Sequence, residues 1–357
     1  MSFISSDANL AAEMQSIIKA LMTPGRGLLA ADESQTTIAK RFEALAIAPT
    51  EENRRRYRQL FITAPRLSDF ISGVILFDET IRQRADNGKL FVTILADSGV
   101  VPGIKVDAGA KPLAGASNER ITEGLDGLRE RLIEYRALGA RFAKWRAVLT
   151  IGDNIPSAYC LDSNAHALAR YAAICQEIGI VPIVEPEVLM DGAHSMERAF
   201  DVTQAAIDSV FSALRSQRVV LEHMLLKPNM VLAGAMSPQR PSVQDVANAT
   251  VRCLRRTVPA AVPGIVFLSG GQAPQLATAH LNAMNTMREH LPWPLSFSFA
   301  RALQEPALEK WSGDQNNVAA AQQLFLHRAH CNSAASEGRY TTALENEQSA
   351  QSASDEV

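Results

Sequence analysis

Short apolar segments recur along the chain, and each is followed by a longer stretch in which apolar residues repeat with helical spacing. Eight of these segments predict strands, at residues 27–32, 70–78, 102–107, 141–151, 181–188, 224–230, 264–271 and 295–301. The stretches between them predict helices, for example at residues 118–138, 164–178, 195–214, 242–256 and 275–290. Such an alternation of strands and helices is typical of α/β proteins.

Several predicted strands are apolar on both faces, as in Gly-Val-Ile-Leu-Phe at 73–77. Strands of this kind belong to parallel sheets covered by helices, and eight of them favour closure into a barrel. The chain of 357 residues is 47% hydrophobic, which is enough for one large core. We therefore predict a single-domain (β/α)8 TIM barrel over residues 1–335. Residues 336–357 are small and polar, and we expect a flexible tail there because little burial offsets the entropy of ordering.

Charge and cysteine usage narrow the functional class. The formal net charge is −3 and the charged residues are scattered, so no basic surface for nucleic acid is expected. The four cysteines form no CxxC pair, which suits free thiols in a reducing compartment. Residues 1–10 lack the pattern of a secretory signal, and no apolar run reaches the roughly 20 residues that a membrane span needs. These features predict a cytoplasmic protein that does not enter a membrane.

Polar and charged residues stand at the ends of the predicted strands, where barrel enzymes carry their catalytic groups. They are Asp32, Lys105, Lys144, Arg146, Glu185, Glu187, Lys227, Arg301 and the Ser-Gly-Gly segment at 269–271. One such charge alone is more often a solvated or salt-bridged loop residue. Their repetition at matching places instead predicts one shared site, because isolated buried charges are costly unless they are paired or serve chemistry.

Seven segments carry a resemblance to a known family. They read Leu-Leu-Ala-Ala-Asp-Glu-Ser at 28–34, Gly-Ile-Lys-Val-Asp at 103–107, Phe-Ala-Lys-Trp-Arg at 142–146, Ile-Val-Glu-Pro-Glu at 183–187, Leu-Leu-Lys-Pro-Asn-Met-Val at 225–231, Phe-Leu-Ser-Gly-Gly-Gln at 267–272 and Arg-Ala-Leu-Gln at 301–304. In this order they resemble the class I fructose-bisphosphate aldolases. That family works without a metal and forms an imine with its ketose substrate.

The resemblance implies a catalytic set. Lys227 would attack the C2 carbonyl of fructose 1,6-bisphosphate or dihydroxyacetone phosphate, with no cofactor. An apolar strand end with Lys144 as a neighbouring cation would favour the neutral, nucleophilic amine. Asp32 would lie near the C4 hydroxyl, and Glu185, with Glu187 beside it, would serve the proton transfers of imine formation. The residues do not show which carboxylate moves which proton.

The resemblance also implies two phosphate sites. Ser269, Gly270, Gly271 and Arg301 would bind the C1 phosphate, since unobstructed backbone N–H groups and a guanidinium suit an anion. At the other end of the substrate, Ser34, Thr37, Lys40, Arg41 and Lys105 stand at family-like positions. For Lys40 and Arg41 a solvated helix face is an equally good interpretation. Arg146 is assigned to the substrate-binding set.

The chain departs from the family pattern near the phosphate ends and at its C-terminus. Gln-Thr-Thr at 35–37, Ala108 after Asp107, and Phe-Ala at 299–300 replace more usual residues. These differences put substrate preference in question, but not bond cleavage. The chain ends Asp-Glu-Val where vertebrate members end in a tyrosine, and Tyr340 is assigned no role.

Other functions stay open at this point. A metal-dependent aldolase needs a histidine-rich zinc site, whereas His327 and His330 lie three apart on a predicted helix and no strand end carries a histidine cluster. Another imine-forming sugar-phosphate aldolase, such as a transaldolase or deoxyribose-phosphate aldolase, would not be expected to carry all seven segments. An inactive barrel that serves as a scaffold or binding protein is the alternative outside enzymes.

The resemblance suggests a homotetramer acting on phosphorylated ketoses and trioses. It does not decide between fructose 1,6-bisphosphate, fructose 1-phosphate and sedoheptulose bisphosphate.

Overall fold

Eight parallel strands close into a barrel in the computed structural model, which describes residues 3–287 and 291–352. The barrel strands are β1 Gly27–Ala31, β2 Ile71–Leu76, β3 Val101–Lys105, β6 Phe142–Leu149, β7 Val181–Val188, β8 Leu225–Leu226, β9 Ile265–Phe267 and β10 Leu295–Phe299. Their order around the barrel is β1-β10-β9-β8-β7-β6-β3-β2. Each predicted strand therefore overlaps one barrel strand, and the predicted TIM barrel is confirmed.

Thirteen helices are found in the described part of the chain. They are α1 Phe3–Leu21, α2 Gln35–Glu43, α3 Glu51–Ile62, α4 Asp78–Arg82, α5 Phe91–Asp97, α6 Leu128–Ala137, α7 Ala158–Ile178, α8 Met196–Ser216, α9 Val243–Thr257, α10 Pro274–Asn285, α11 Arg301–Trp311, α12 Val318–Ser336 and α13 Thr342–Ser352. None of them is long and apolar enough to cross a membrane.

Serine residues start three consecutive helices of the outer layer, α7, α8 and α9. The side chains of Ser157, Ser195 and Ser242 each accept a hydrogen bond from a backbone N–H in the first turn of α7, α8 and α9. Those N–H groups have no partner within the helix, so a serine at this position fixes where the helix begins. These caps therefore fix the residue at which each preceding loop ends and its helix begins.

Helix α1 closes the end of the barrel at which the strands begin. Met14, Ile17 and Ile18 of α1 are buried in one cluster with Phe142 and Val181, the first residues of β6 and β7. A larger apolar cluster fills the space between the strands and the outer helices. With one end sealed, the opposite end, where the strands finish, is the open one.

Two features differ from the sequence prediction. Residues 118–138 were predicted to be helical, but only Leu128–Ala137 is a helix, and β5 Arg120–Thr122 pairs with β4 Ala110–Pro112 as an antiparallel hairpin. The predicted helix at 275–290 ends at Asn285, and residues 288–290 lie outside the described part.

The polar segment predicted to be a flexible tail contains the helix α13. The Tyr340 hydroxyl donates to the carboxylate of Glu345 over 2.7 Å, and Arg328 of α12 pairs with that carboxylate. Polar contacts thus hold α13 against α12 where the composition offers few apolar ones. The predicted boundary at residues 335/336 stays a prediction, and residues 353–357 lie outside the described part.

Candidate active site

A polar cleft of about 710 Å³ lies at the ends of the barrel strands. The predicted catalytic and binding residues all line it, namely Asp32, Ser34, Thr37, Lys40, Arg41, Lys105, Lys144, Arg146, Glu185, Glu187, Lys227, Ser269, Gly270, Gly271 and Arg301. They come from loops or strand ends all round the barrel, so the closure of the sheet is what brings them together.

Lys227 follows β8 and is held deep in the cleft. Its backbone N–H donates to the carbonyl of Val184 over 2.8 Å, which extends the pairing of β8 with β7. Only 3% of the residue is exposed to solvent. The Nζ atom lies 3.2 Å from Oε1 of Glu185. A primary amine therefore stands beside a carboxylate in a site that is largely shielded from water.

Lys144 on β6 connects three carboxylates. Its Nζ atom lies 2.6 Å from Asp32 Oδ2, 3.5 Å from Glu185 Oε2 and 3.9 Å from Asp107 Oδ2. Lys144 is buried, as are all three acids. Because Lys144 and Lys227 contact opposite oxygens of Glu185, the two amines and the acid form one connected group.

The charges of this group fix two protonation states. Burial alone would raise the pKa of Asp32, but the positive charges of Lys144 and Lys227 outweigh it and hold that pKa well below its usual range. Burial alone would lower the pKa of Lys144, but Asp32, Glu185 and Asp107 outweigh it and raise that pKa. At neutral pH Asp32 is therefore a carboxylate and Lys144 an ammonium ion.

A second ion pair lies two residues further along the same two strands. Arg146 of β6 pairs with Glu187 of β7, and both lie in the cleft lining. Lys144 and Arg146 share one face of β6, and Glu185 and Glu187 share one face of β7, as the alternation of side chains predicts. The Arg146 side chain is 42% exposed, so its guanidinium faces the solvent side of the site.

The segment after β9 has the features expected of an anion site. Gly270 and Gly271 have φ values of +58° and +87°, a backbone conformation that favours glycine. A Cβ atom on Gly271 would lie 2.9 Å from Nη2 of Arg301, so the guanidinium rests against the bare glycine backbone. Among the described residues, no carboxylate lies within 4.0 Å of Arg301.

The opposite side of the cleft is formed by the start of α2 and the end of β3. Ser34 caps α2 by accepting a hydrogen bond from the backbone N–H of Thr37, and the two hydroxyls lie 3.1 Å apart. Arg41 pairs with Glu33 at 2.6 Å and donates to Gln304 over 2.9 Å. Lys105 pairs with Asp107 at 3.0 Å. Arg41 and Lys105 thus already have protein partners.

Two buried acids have structural roles that the sequence analysis did not assign. Asp107 contacts Lys105 and Lys144 and accepts hydrogen bonds from the backbone N–H groups of Arg146 and Gly109. Glu33 pairs with Arg41 and with the buried Arg58. For Asp107 a signal was present, because it follows β3 two residues after Lys105 and shares its face. For Glu33 the partner Arg58 lies on α3, and nothing in the local sequence marks that contact.

Comparisons with known proteins give the family. A family model described as fructose-bisphosphate aldolase class-I matches residues 13–356. A Xanthomonas campestris protein named "Probable fructose-bisphosphate aldolase class 1" is 57% identical over 323 residues, which cover 90% of this chain and 96% of the relative. An Arabidopsis thaliana protein named "Fructose-bisphosphate aldolase 4, cytosolic" is 52% identical over 318 residues, 89% of this chain and 81% of the relative.

A solved structure shows the same fold at high sequence identity. It is the fructose-bisphosphate aldolase of Plasmodium falciparum in complex with TRAP and a small-molecule inhibitor. The TM-score is 0.91 at 48% identity, and the match covers 94% of this chain and 96% of the other. The closed barrel, its cleft lined by lysines and acids, and these matches together show that the chain belongs to the class I fructose-bisphosphate aldolases.

Proposed function

We propose that the chain cleaves fructose 1,6-bisphosphate reversibly to dihydroxyacetone phosphate and glyceraldehyde 3-phosphate through an imine on Lys227, in glycolysis and gluconeogenesis. The observation that carries the residue assignment is the position of Lys227, a residue that is only 3% exposed and whose Nζ atom lies 3.2 Å from Glu185. A lysine that serves as a nucleophile needs a group beside it that accepts and returns protons.

The first steps form the imine. The neutral amine of Lys227 attacks the C2 carbonyl, and Glu185 transfers the protons by which the carbinolamine loses water. The resulting iminium carries a positive charge next to C3 and is the electron sink for the next step. Burial of the site strengthens the interaction of Glu185 and Glu187 with that charge.

The next step breaks the C3–C4 bond. Asp32, which follows β1, receives the proton of the C4 hydroxyl, directly or with Lys144 as the relay 2.6 Å away. The electron pair of the C3–C4 bond moves into the iminium and gives an enamine, while C4 becomes the aldehyde of the released triose phosphate. Protonation of the enamine at C3 and hydrolysis of the imine then release dihydroxyacetone phosphate and restore the amine.

The two phosphates have separate sites in this proposal. The C1 phosphate binds the backbone N–H groups of Ser269, Gly270 and Gly271 together with Arg301, whose guanidinium is free to take an anion. The C6 phosphate lies towards Ser34, Thr37, Arg41 and Lys105, at the start of α2, and Arg146 contacts the substrate between the two ends.

Trapping the imine tests this assignment. We expect borohydride reduction in the presence of dihydroxyacetone phosphate to attach the three-carbon unit to Lys227, as read by peptide mass spectrometry. Lys227→Met should give neither adduct nor turnover while the circular dichroism spectrum is kept. An adduct on Lys144 alone, or full activity in Lys227→Met, would overturn the role of Lys227. Chelator should leave the cleavage rate unchanged.

Substrate preference, assembly and location are parts of the same proposal. Comparing kcat/KM for fructose 1,6-bisphosphate and fructose 1-phosphate measures how much the C6-phosphate site contributes to substrate selection, and we expect the bisphosphate to be preferred.

We further propose a homotetramer in the cytoplasm, in keeping with the relative named cytosolic. Light scattering after size-exclusion chromatography should give four times the chain mass of 38.7 kDa.

A further inference from the structure

Three side chains with metal-binding atoms meet where α13 rests on α12. His327 and Cys331 lie one turn apart on α12, and Glu345 belongs to α13. One ligand atom from each lies within 4.8 Å of the other two, and none of the three residues lines the catalytic cleft. We propose that His327, Cys331 and Glu345 form a site for a zinc-like divalent cation that ties α13 to α12.

The spacing of the donor atoms suits tetrahedral zinc. Zinc–nitrogen bonds of about 2.0–2.1 Å and zinc–sulfur bonds of about 2.3 Å, at a tetrahedral angle, place the two donors about 3.5 Å apart. Cys331 Sγ lies 3.6 Å from His327 Nε2. The backbone carbonyl oxygen of Glu345 is 3.1 Å from the same nitrogen and is available as a fourth donor beside its carboxylate. No large movement of α12 is needed to close such a site.

The chemistry of the donors selects the class of ion. A thiolate and an imidazole prefer zinc and similar borderline metals, whereas magnesium and calcium take oxygen ligands. Cysteine binds zinc as the thiolate, so the metal must displace the proton of the Cys331 thiol when it binds.

Arg328 is the group that opposes a cation here, and its contacts limit that effect. Its guanidinium pairs with Oε1 of Glu345 and also donates to the hydroxyl of Thr278 over 2.6 Å. A carboxylate has about four acceptor directions, so Arg328 and the Tyr340 hydroxyl leave Glu345 Oε2 able to bind a metal. With a thiolate and a carboxylate against one guanidinium, the site keeps a net negative charge. Arg328 also fixes the orientation of the carboxylate, as outer partners of metal ligands commonly do.

A zinc titration tests the proposal. We expect the metal-free, full-length chain without an affinity tag to bind one zinc ion, measured by competition with a chromophoric chelator. Cys331→Ser and His327→Ala should each weaken that binding at least tenfold. His330→Ala is the matched control on the same helix, since the His330 ring packs on Phe70 at 5.2 Å and should leave binding unchanged.

Cobalt gives an independent readout of the thiolate. Bound cobalt should show a thiolate-to-metal charge-transfer band that Cys331→Ser removes and His330→Ala keeps. Circular dichroism shows whether each variant is folded, and the cleavage rate should be unchanged because none of the three ligands lines the catalytic cleft. The absence of saturable zinc binding at micromolar concentration, or zinc binding that survives both ligand substitutions, would overturn the site while leaving the aldolase assignment intact.

Discussion

Lys144 is the residue on which the charge balance of the proposed catalytic group depends, because it is a buried cation shared by Asp32 and Glu185. Removing Lys144 leaves the buried carboxylates without that cation. This lowers the stability of the fold as well as the rate of the reaction. We expect Lys144→Met to lower kcat for fructose 1,6-bisphosphate at least 100-fold, in the range of lost acid–base catalysis. Steady-state kinetics measure this loss.

A control separates the site from a general effect of removing a lysine. Lys111 is exposed on β4 and does not line the cleft, so Lys111→Met should keep kcat. If Lys144→Met retained more than a tenth of the activity while remaining folded, the proposed role of Lys144 in proton transfer would be wrong.

Asp32 should make stability depend on pH on the acid side. Its pKa is lower in the folded chain than the usual value of about 3.9, so the unfolded chain takes up the proton first as the pH falls. The stabilising contribution is therefore complete above about pH 5 and declines below about pH 4. We expect Asp32→Asn to lower the Tm at pH 7, and the Tm gap to the parent chain to shrink between pH 5 and pH 3. A gap that widens with acid would contradict the depressed pKa.

The sequence predicts the charged residues that line the cleft but few of the residues that hold them. Strand-end lysines and acids are visible because a barrel gathers strand ends at one opening, whatever the details of packing. The pairing of Glu33 with Arg58 depends on how α3 packs against the loop after β1, and that packing is not encoded in any local pattern. Contacts of this kind are found only when the fold is known.

At the scale of elements, a serine cap fixes the residue at which each of the helices α7, α8 and α9 begins. In α9 the Ser242 hydroxyl accepts from the backbone N–H of Asp245 over 3.2 Å, and the Asp245 carboxylate accepts from the backbone N–H of Ser242 over 3.0 Å. We expect Ser242→Ala to lower the free energy of unfolding by about 1 kcal/mol, the usual loss for an N-cap. Ser216→Ala, at the exposed end of α8, is the control and should change it by less than about 0.5 kcal/mol. Equal losses in thermal or urea unfolding would show that the cap is not the cause.

The errors in the predicted elements have physical reasons. The hairpin of β4 and β5 consists of two three-residue strands with little apolar alternation, so the helical periodicity further along dominated the prediction for residues 118–138. Helix α13 is polar, and the ion pair with Arg328 and the hydroxyl of Tyr340 hold it rather than an apolar face. Eight recurring apolar segments, several of them apolar on both faces, carried a much stronger signal, which is why the barrel itself was predicted correctly.

At the scale of the whole molecule, closure of the barrel depends on large and small residues meeting across its interior. Gly103 of β3 stands opposite Phe142 of β6 in the strand register. A Cβ atom on Gly103 would lie 2.3 Å from the Phe142 ring, far inside contact distance. Phe142 is fully buried in the cluster with α1 that seals this end, so the ring has little room to move.

A methyl group at this point should therefore strain the barrel as a whole. We expect Gly103→Ala to lower the free energy of unfolding by about 1–3 kcal/mol, the usual range for an overpacked core. Phe142→Leu alone opens a cavity and also destabilises, by about 1–3 kcal/mol. In the double variant the smaller leucine makes room for the methyl group, so the loss should be less than the sum of the two single losses by at least about 0.5 kcal/mol. Urea unfolding of the four chains measures this coupling, and strictly additive losses would mean that the glycine is not there to admit the ring. Because both residues lie at the sealed end, KM for fructose 1,6-bisphosphate should stay the same in every variant that folds.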